Sequence, residues 1–278
     1  MSLTRTRRYG ISYMVAIALF TICVAPAMAQ DAPAAAPKVA VTGGVDLVNQ
    51  YMFRGIRQNS TGMATWPWLD VRINAFEGDG GLKSVGINIG SWNSAHSKPG
   101  AWYESDFYTT LGLGFGGGVT LSTTYTSYTS PDDAFTHVKE LAGKLAIADG
   151  EYLGRAALNP YVLVAFELAT EPGRFQADGG ENAGKYVELG IAPGYSGSYA
   201  SLSVPVKVGL SAGDYYELDG VDNKFGFFSV GSMVTVPVGS HFNVHGGVEF
   251  QALGDTTKAL NQGDGSQVIG SFGIGLSY

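Results

Sequence analysis

Cysteine is all but missing from this 278-residue chain: the single one, Cys23, lies inside the first apolar stretch. A disulfide framework is therefore not what holds the protein together. Positive charge is also in deficit, with 17 Lys and Arg against 24 Asp and Glu, which argues against nucleic acid as a partner. Histidine occurs four times. Beyond residue 25 no apolar run is long enough for a membrane helix, and the 3.6-residue period of amphipathic helices is hard to find. Glycine, in contrast, is abundant at 40 residues, and aromatic residues make up 12% of the chain. That mixture favours an all-β protein with many turns and close backbone approaches.

Arg5, Arg7 and Arg8 precede an apolar run from Ile11 to Ala25, which is followed by small residues up to Ala29. These are the three regions of a secretory signal, and the run is too short to span a bilayer as a helix. Arg7 and Arg8 lack the rest of a twin-arginine motif, and Ile22 before Cys23 argues against lipoprotein processing. The expectation is cleavage after Ala29, a periplasmic linker over 30–39 and a folded body over 40–278. Cleavage would remove Cys23 and three arginines, leaving a net charge of about −10.

Alternation of apolar and polar residues recurs through the body. From Phe242 to Ala252 the even positions include Phe242, Val244, Val248 and Phe250, and the odd ones Asn243, His245, Glu249 and Gln251. Successive side chains of a strand point to opposite faces, so each such run has one greasy and one polar face. The pattern predicts strands near 41–54, 64–76, 83–94, 104–115, 119–128, 138–147, 159–169, 185–193, 201–213, 225–237, 242–252 and 267–278. Twelve runs of roughly ten residues match tilted membrane-crossing strands. The expected fold is an all-β, 12-stranded antiparallel transmembrane barrel of the outer-membrane type.

A soluble barrel would turn its apolar residues inward, but the polar face here is rich in Gly, Ser and Thr and sparing in Lys, as suits a lumen. Tight connections at 78–81, 116–118 and 239–241 alternate with longer polar ones at 95–103, 129–137, 170–184, 214–224 and 253–266, which are expected outside the cell. Two connections fit poorly, the short one near 58–63 and the long one at 148–158. Pro67 and Pro160 are expected near strand ends, and Pro205 is expected to mark a bulge.

The last strand, with Phe272, Ile274, Leu276 and Tyr278 on one face, is expected to turn these residues to lipid and to place the Tyr278 ring at the periplasmic interface. Phe115 and Phe242 fall at a similar depth, and Phe53, Phe228 and Phe250 near the other rim. A terminal aromatic after alternating apolar residues also resembles the signal read by the bacterial barrel-insertion machinery.

The stretch from Gln50 to Gln58, QYMFRGIRQ, resembles the S-x-Y-x-F-R-G-I-S-Q signature of the TorF-like family of proteobacterial outer-membrane porins. Tyr51, Phe53, Arg54, Gly55, Ile56 and Gln58 match, whereas Asn49 and Arg57 depart from it. Residues 103–115 are similar to that family's acidic strand, with Glu104 and Asp106 in place. The resemblance implies a channel of unsettled substrate in the outer membrane of a Gram-negative bacterium, and it supplies no catalytic residues.

Twelve charged residues fall on the polar face: Asp46, Arg54, Asp70, Arg72, Glu104, Asp106, Glu140, Lys144, Glu167, Glu188, Lys207 and Glu249. Charges in a barrel wall must be wetted or paired. Arg54 and Arg72 are expected to form a mixed ladder with Asp46 and Asp70. Eight acids against four bases predict a narrow porin for small hydrophilic solutes with a weak cation preference. Trp66, Trp68 and Trp92 are expected inside, near the external side, filling space rather than stacking on a sugar-like solute.

Two other functions compete. A lipid hydrolase would need a nucleophile, a base and an orienting group. His96 is expected in an external loop, His137 at a loop edge and His241 in a turn, which leaves His245 in mid-strand, too far from Glu249 for a direct pair. A structural or adhesive protein would act through an acidic rim of Asp132, Asp133, Glu171, Asp178, Glu181, Asp214, Glu217, Asp219 and Asp222, whose spacing matches no calcium loop. No catalytic residue, cofactor or metal is expected. The expected partners are outer-membrane lipids, the insertion machinery and small solutes or cations.

Overall fold

The structure, a computed structural model, describes residues 37–59, 61–98, 100–168 and 182–278. The expected signal (1–29), residues 30–36 of the linker, and Glu171, Asp178 and Glu181 lie outside the described residues.

Alternating apolar residues resolve into twelve barrel strands. They are β1 Val39–Val48, β2 Ala64–Glu77, β3 Leu82–His96, β4 Ala101–Phe115, β5 Val119–Thr129 and β6 Val138–Ile147. There follow β7 Tyr161–Leu168, β8 Lys185–Ile191 continued by Gly194–Ser196, and β9 Ser201–Ser203 continued by Val206–Gly213. The last three are β10 Phe225–Val238, β11 Phe242–Leu253 and β12 Ser266–Ser277. Each pairs antiparallel with the next, and β12 returns to β1, so the sheet is a closed 12-stranded barrel. Closure leaves no edge with unpaired backbone groups. At the seam, Val41 and Tyr278 exchange both backbone hydrogen bonds at 2.8 Å.

The apolar face of each strand points outward. Val45, Leu69, Ile89, Phe107, Leu121, Leu141, Leu189, Val248 and Phe250 are all exposed, as are Phe272, Ile274, Leu276 and Tyr278 on the closing strand. A belt of exposed large apolar side chains running right round a barrel needs hydrocarbon, not water, beside it. Polar partners such as Asp46, Asp70, Thr124, Glu140, Ser229 and His245 are buried on the inner face.

Prolines interrupt the ladder without displacing it. The expected bulge at Pro205 is absent: Ser203 pairs with Met233 and Val206 with Val230, which is one continuous register. The Pro205 carbonyl still accepts from Gly231 N at 2.9 Å, so proline removes only its own missing donor. Pro67 pairs with Val45 of β1, while the β2–β3 ladder skips from Thr65 to Trp68. The long connection at 148–158 holds a helical turn, α1 (Gly150–Leu153), followed by a 3-10 turn over Gly154–Ala156. Asp149 anchors it by accepting from Leu158 N and Asn159 N.

One expectation fails at the first strand, which ends at Val48 and not at residue 54. The connection to β2 therefore runs from 49 to 63, and the misfit of a short first external loop disappears. Phe53, expected on the lipid side, is 2% exposed and lies inside the barrel.

Candidate functional site

Within that connection Met52–Phe53 pairs with Ile56–Arg57 to form a small hairpin. Its turn is Arg54 at φ 47° and Gly55 at φ 83°, the doubly left-handed turn that suits a two-residue hairpin. The base is tied by Tyr51 N donating to Asn59 Oδ1 at 2.6 Å and Gln58 N to the Tyr51 carbonyl at 2.8 Å. Outside the barrel so short a hairpin would be marginal. Here it folds into the lumen, and Tyr51, Phe53 and Ile56 are buried.

Its side chains reach opposite walls. On one side the Tyr51 ring lies 5.3 Å from both Trp66 and Trp92, and Tyr103 donates to Gln58 Oε1 at 2.7 Å. Phe53 sits edge-on to Tyr128 at 5.9 Å. On the other side Ile56 packs with Ala142, Leu163, Ala165, Tyr186, Tyr215, Tyr216 and Phe227. From above, α2 (Asp255–Leu260) carries Asn261 at its end. Asn261 Nδ2 donates to the Gly55 carbonyl at 2.7 Å, and Asn261 Oδ1 accepts from Arg57 N at 2.9 Å.

Arg54 ends in the most elaborate contact of the lumen. Its Nη1 and Nη2 donate to Glu140 Oε2 and Oε1 at 2.6 and 2.8 Å, a two-pronged pair, and Nη1 also donates to the Tyr215 hydroxyl at 2.7 Å. The guanidinium carbon lies 4.2 Å from the centre of the Tyr186 ring and 5.3 Å from that of Tyr215. Tyr216 donates its hydroxyl to the Arg54 carbonyl at 2.9 Å. Burial alone would push the guanidinium down, but the Glu140 carboxylate outweighs it and holds Arg54 above its ordinary value. The arginine is a fixed cation.

The remaining charged residues form separate groups. Lys207 Nζ lies 3.6 Å from Glu249 Oε1. Glu188 accepts from the hydroxyls of Tyr161 and Tyr186 at 2.7 and 2.6 Å, and Lys144 sits 4.0 Å from the centre of the Tyr161 ring. Glu104 and Asp106 are buried on β4 beside the hairpin, and Glu167 Oε2 accepts from Gly184 N at 2.8 Å. The expected ladder of Arg54 and Arg72 with Asp46 and Asp70 does not form. Arg72 donates to Asn74, Asp70 accepts from Asn88, and Asp46 meets His245 and the indole N–H of Trp68. Arg54 left that group because the chain turns inward after β1.

Of the histidines, His96 ends β3 instead of lying in a loop, and it stacks on Tyr103 at 4.4 Å. His245 has both ring nitrogens engaged, by Asn243 Oδ1 at 2.8 Å and Asp46 Oδ1 at 2.5 Å. Among the described residues no group of three His, Cys, Asp or Glu is placed to hold a metal ion. Tyr186, Tyr215, Tyr216 and Asn261 were not among the sequence candidates. Gly55, a glycine inside an alternating run, is the local sign that the strand pattern breaks there.

No protein-family model and no curated protein matches the chain. Solved structures similar to it in architecture include an outer-membrane channel from Pseudomonas putida F1 (11% identity, 88% of this chain and 97% of that one, TM-score 0.48). The translocator domain of the autotransporter NalP from Neisseria meningitidis is 13% identical over 87% of this chain and 88% of that one (TM-score 0.47). Outer membrane phospholipase A from Escherichia coli is 13% identical over 84% and 92% (TM-score 0.44). A channel, a translocator domain and a phospholipase are among these structures, so the likeness is one of barrel shape alone.

Proposed function

We propose that the protein is a narrow outer-membrane porin whose first external loop constricts the passage, and that it admits small hydrophilic solutes with a weak preference for cations. The observation that carries this is the hairpin itself, which lies inside the barrel with Tyr51, Phe53 and Ile56 buried and reaches across to Glu140 on the wall, while the lumen keeps partly exposed charges elsewhere. The side chains of Lys207 and Glu249, deep in the barrel, keep 25% and 18% of their exposure, whereas those of Arg54 and Glu140 keep 8% and 3%. An acidic excess on the inner face favours cations in such a passage, and the resemblance of residues 50–58 to TorF-like porins agrees. Orientation follows from most of the connections, with the hairpin and the loops at 169–184, 214–224 and 254–265 outside, and the short turns together with the longer 148–158 connection in the periplasm.

As a lipid hydrolase the chain would need His245 to activate a hydroxyl, yet the ring is spent on Asp46 and Asn243 inside the lumen, away from lipid. The structural or adhesive reading draws on acidic residues of the 214–224 loop, the same loop whose Tyr215 and Tyr216 hold the hairpin in the lumen. Planar-bilayer recording of the purified protein in a potassium chloride gradient tests the proposal. Expected are small steps with a cation-selective reversal potential, enlarged in a variant lacking residues 51–58. Absence of current from both proteins, or anion selectivity, would overturn it.

A further inference from the structure

We propose that the nest receiving Arg54 is a binding site for small guanidinium-bearing solutes, and that the hairpin is its built-in competitor. The binding claim stands on the nest itself; its consequence for transport rests on the porin reading.

The nest is made by the barrel and its fifth external loop. Glu140 comes from β6, Tyr186 from β8 and Tyr215 from the 214–224 connection. Each is held by something other than Arg54. The Tyr128 hydroxyl donates to Glu140 Oε1 at 3.3 Å, the Tyr186 hydroxyl to Glu188 Oε2 at 2.6 Å, and Tyr215 N to Ser211 Oγ at 3.1 Å. Withdrawal of the hairpin therefore leaves an assembled carboxylate, hydroxyl and ring face, with no need to rebuild them around a new occupant. Preorganisation of this kind is what allows a small ligand to bind tightly.

The chemistry selects guanidinium over ammonium. Glu140 engages two nitrogens at once, the Tyr215 oxygen accepts from one of them, and the Tyr186 ring lies 4.2 Å from the central carbon. A planar forked cation satisfies all three, whereas a lysine-like ammonium is a point charge without the fork or the stacking plane.

The hairpin that fills the nest carries a counterweight. Arg54 itself sits at φ 47°, in the left-handed region that strains a residue with a side chain. Relief of that strain on leaving favours exchange with a free ligand. Deeper in the lumen Glu188 and Glu249 are matched by Lys144 and Lys207, so the nest's carboxylate is the one that a guanidinium meets already set for a two-pronged pair.

Calorimetry on the folded, detergent-solubilised full chain tests the binding claim with methylguanidinium chloride against methylammonium chloride at equal ionic strength. Arg54→Ala, which empties the nest, is expected to bind methylguanidinium at least about tenfold more tightly than the wild type or Arg54→Ala/Glu140→Gln, and methylammonium at least about tenfold more weakly. Equal affinity for the two cations, or indifference to Glu140→Gln, overturns the proposal. If Arg54→Ala loses the faster gel migration of an unboiled folded barrel, Arg54→Gln replaces it. In bilayers, millimolar methylguanidinium is expected to raise wild-type current and leave Glu140→Gln unchanged. Current indifferent to methylguanidinium overturns the competitor role, while binding without any current supports the site and sinks the porin reading instead.

Discussion

Asp46 Oδ1 and His245 Nε2 meet at 2.5 Å above Gly273, which is paired with Asp46 on one side and with His245 on the other. Three strands are thus stapled across β12 by a contact that exists because the middle residue has no side chain. A Cβ there would strike both partners and come within 2.9 Å of the Val45 carbonyl. Gly273→Ala is therefore expected to cost about 1–3 kcal/mol through overpacking. Its heat-induced loss of fast gel migration should shift to lower temperature. An unchanged midpoint would mean that the seam does not depend on this contact.

Gly55 supports the hairpin in a different way. At φ 83° it takes a conformation that other residues resist, and a Cβ would lie 3.0 Å from the Phe227 ring. Gly55→Ala should loosen the hairpin by about 1–2 kcal/mol while sparing the barrel. Limited proteolysis should then cut between 51 and 58 faster than in the wild type, with thermal unfolding of the barrel unaltered.

Asn261 is fully buried and spends its amide on the Gly55 carbonyl, the Thr257 carbonyl and Arg57 N. Asn261→Ala leaves those backbone groups without their partner, at a cost of about 1–3 kcal/mol. The expected readout is again cleavage in the first loop, now accompanied by larger single-channel steps. Wild-type resistance to protease would show that α2 is not a clamp.

The phenols around the hairpin carry a pH signature. Burial pushes Tyr51, Tyr215 and Tyr216 well above their ordinary value, so in the folded protein they keep their protons past the point, near pH 10, where an unfolded chain loses them. Folding is fully supported below about pH 10 and loses support as pH rises through and beyond it. Absorbance at 295 nm should show these three silent until the loops open. Titration of every tyrosine near pH 10 in an intact barrel would contradict their burial.

The barrel was legible because lipid on one side and a polar lumen on the other impose strict alternation, and β6, expected over 138–147, occupies those residues. Alternation cannot tell a wall strand from a hairpin folded against the wall. Tyr51, Phe53 and Arg54 continue the zigzag of β1, so the strand was expected six residues too long, and Arg54 was assigned a place beside Asp70 instead of across the lumen at Glu140. What separates the two is the pair of left-handed residues at 54 and 55, a backbone property that an arginine does not advertise. Tyr215 and Tyr216 were invisible for a related reason: they belong to an irregular connection with no period to read.

The seam between β1 and β12 also dictates an order of assembly. Asn49 and Val268, joined by a hydrogen bond just past the end of β1, stand 219 residues apart in sequence, so the cylinder cannot shut until nearly the whole polypeptide has been delivered. Contacts that distant form slowly. The hairpin emerges right after the first strand yet docks on walls supplied by the sixth, eighth and tenth, and must wait, exposed, for a receptacle that is synthesised later.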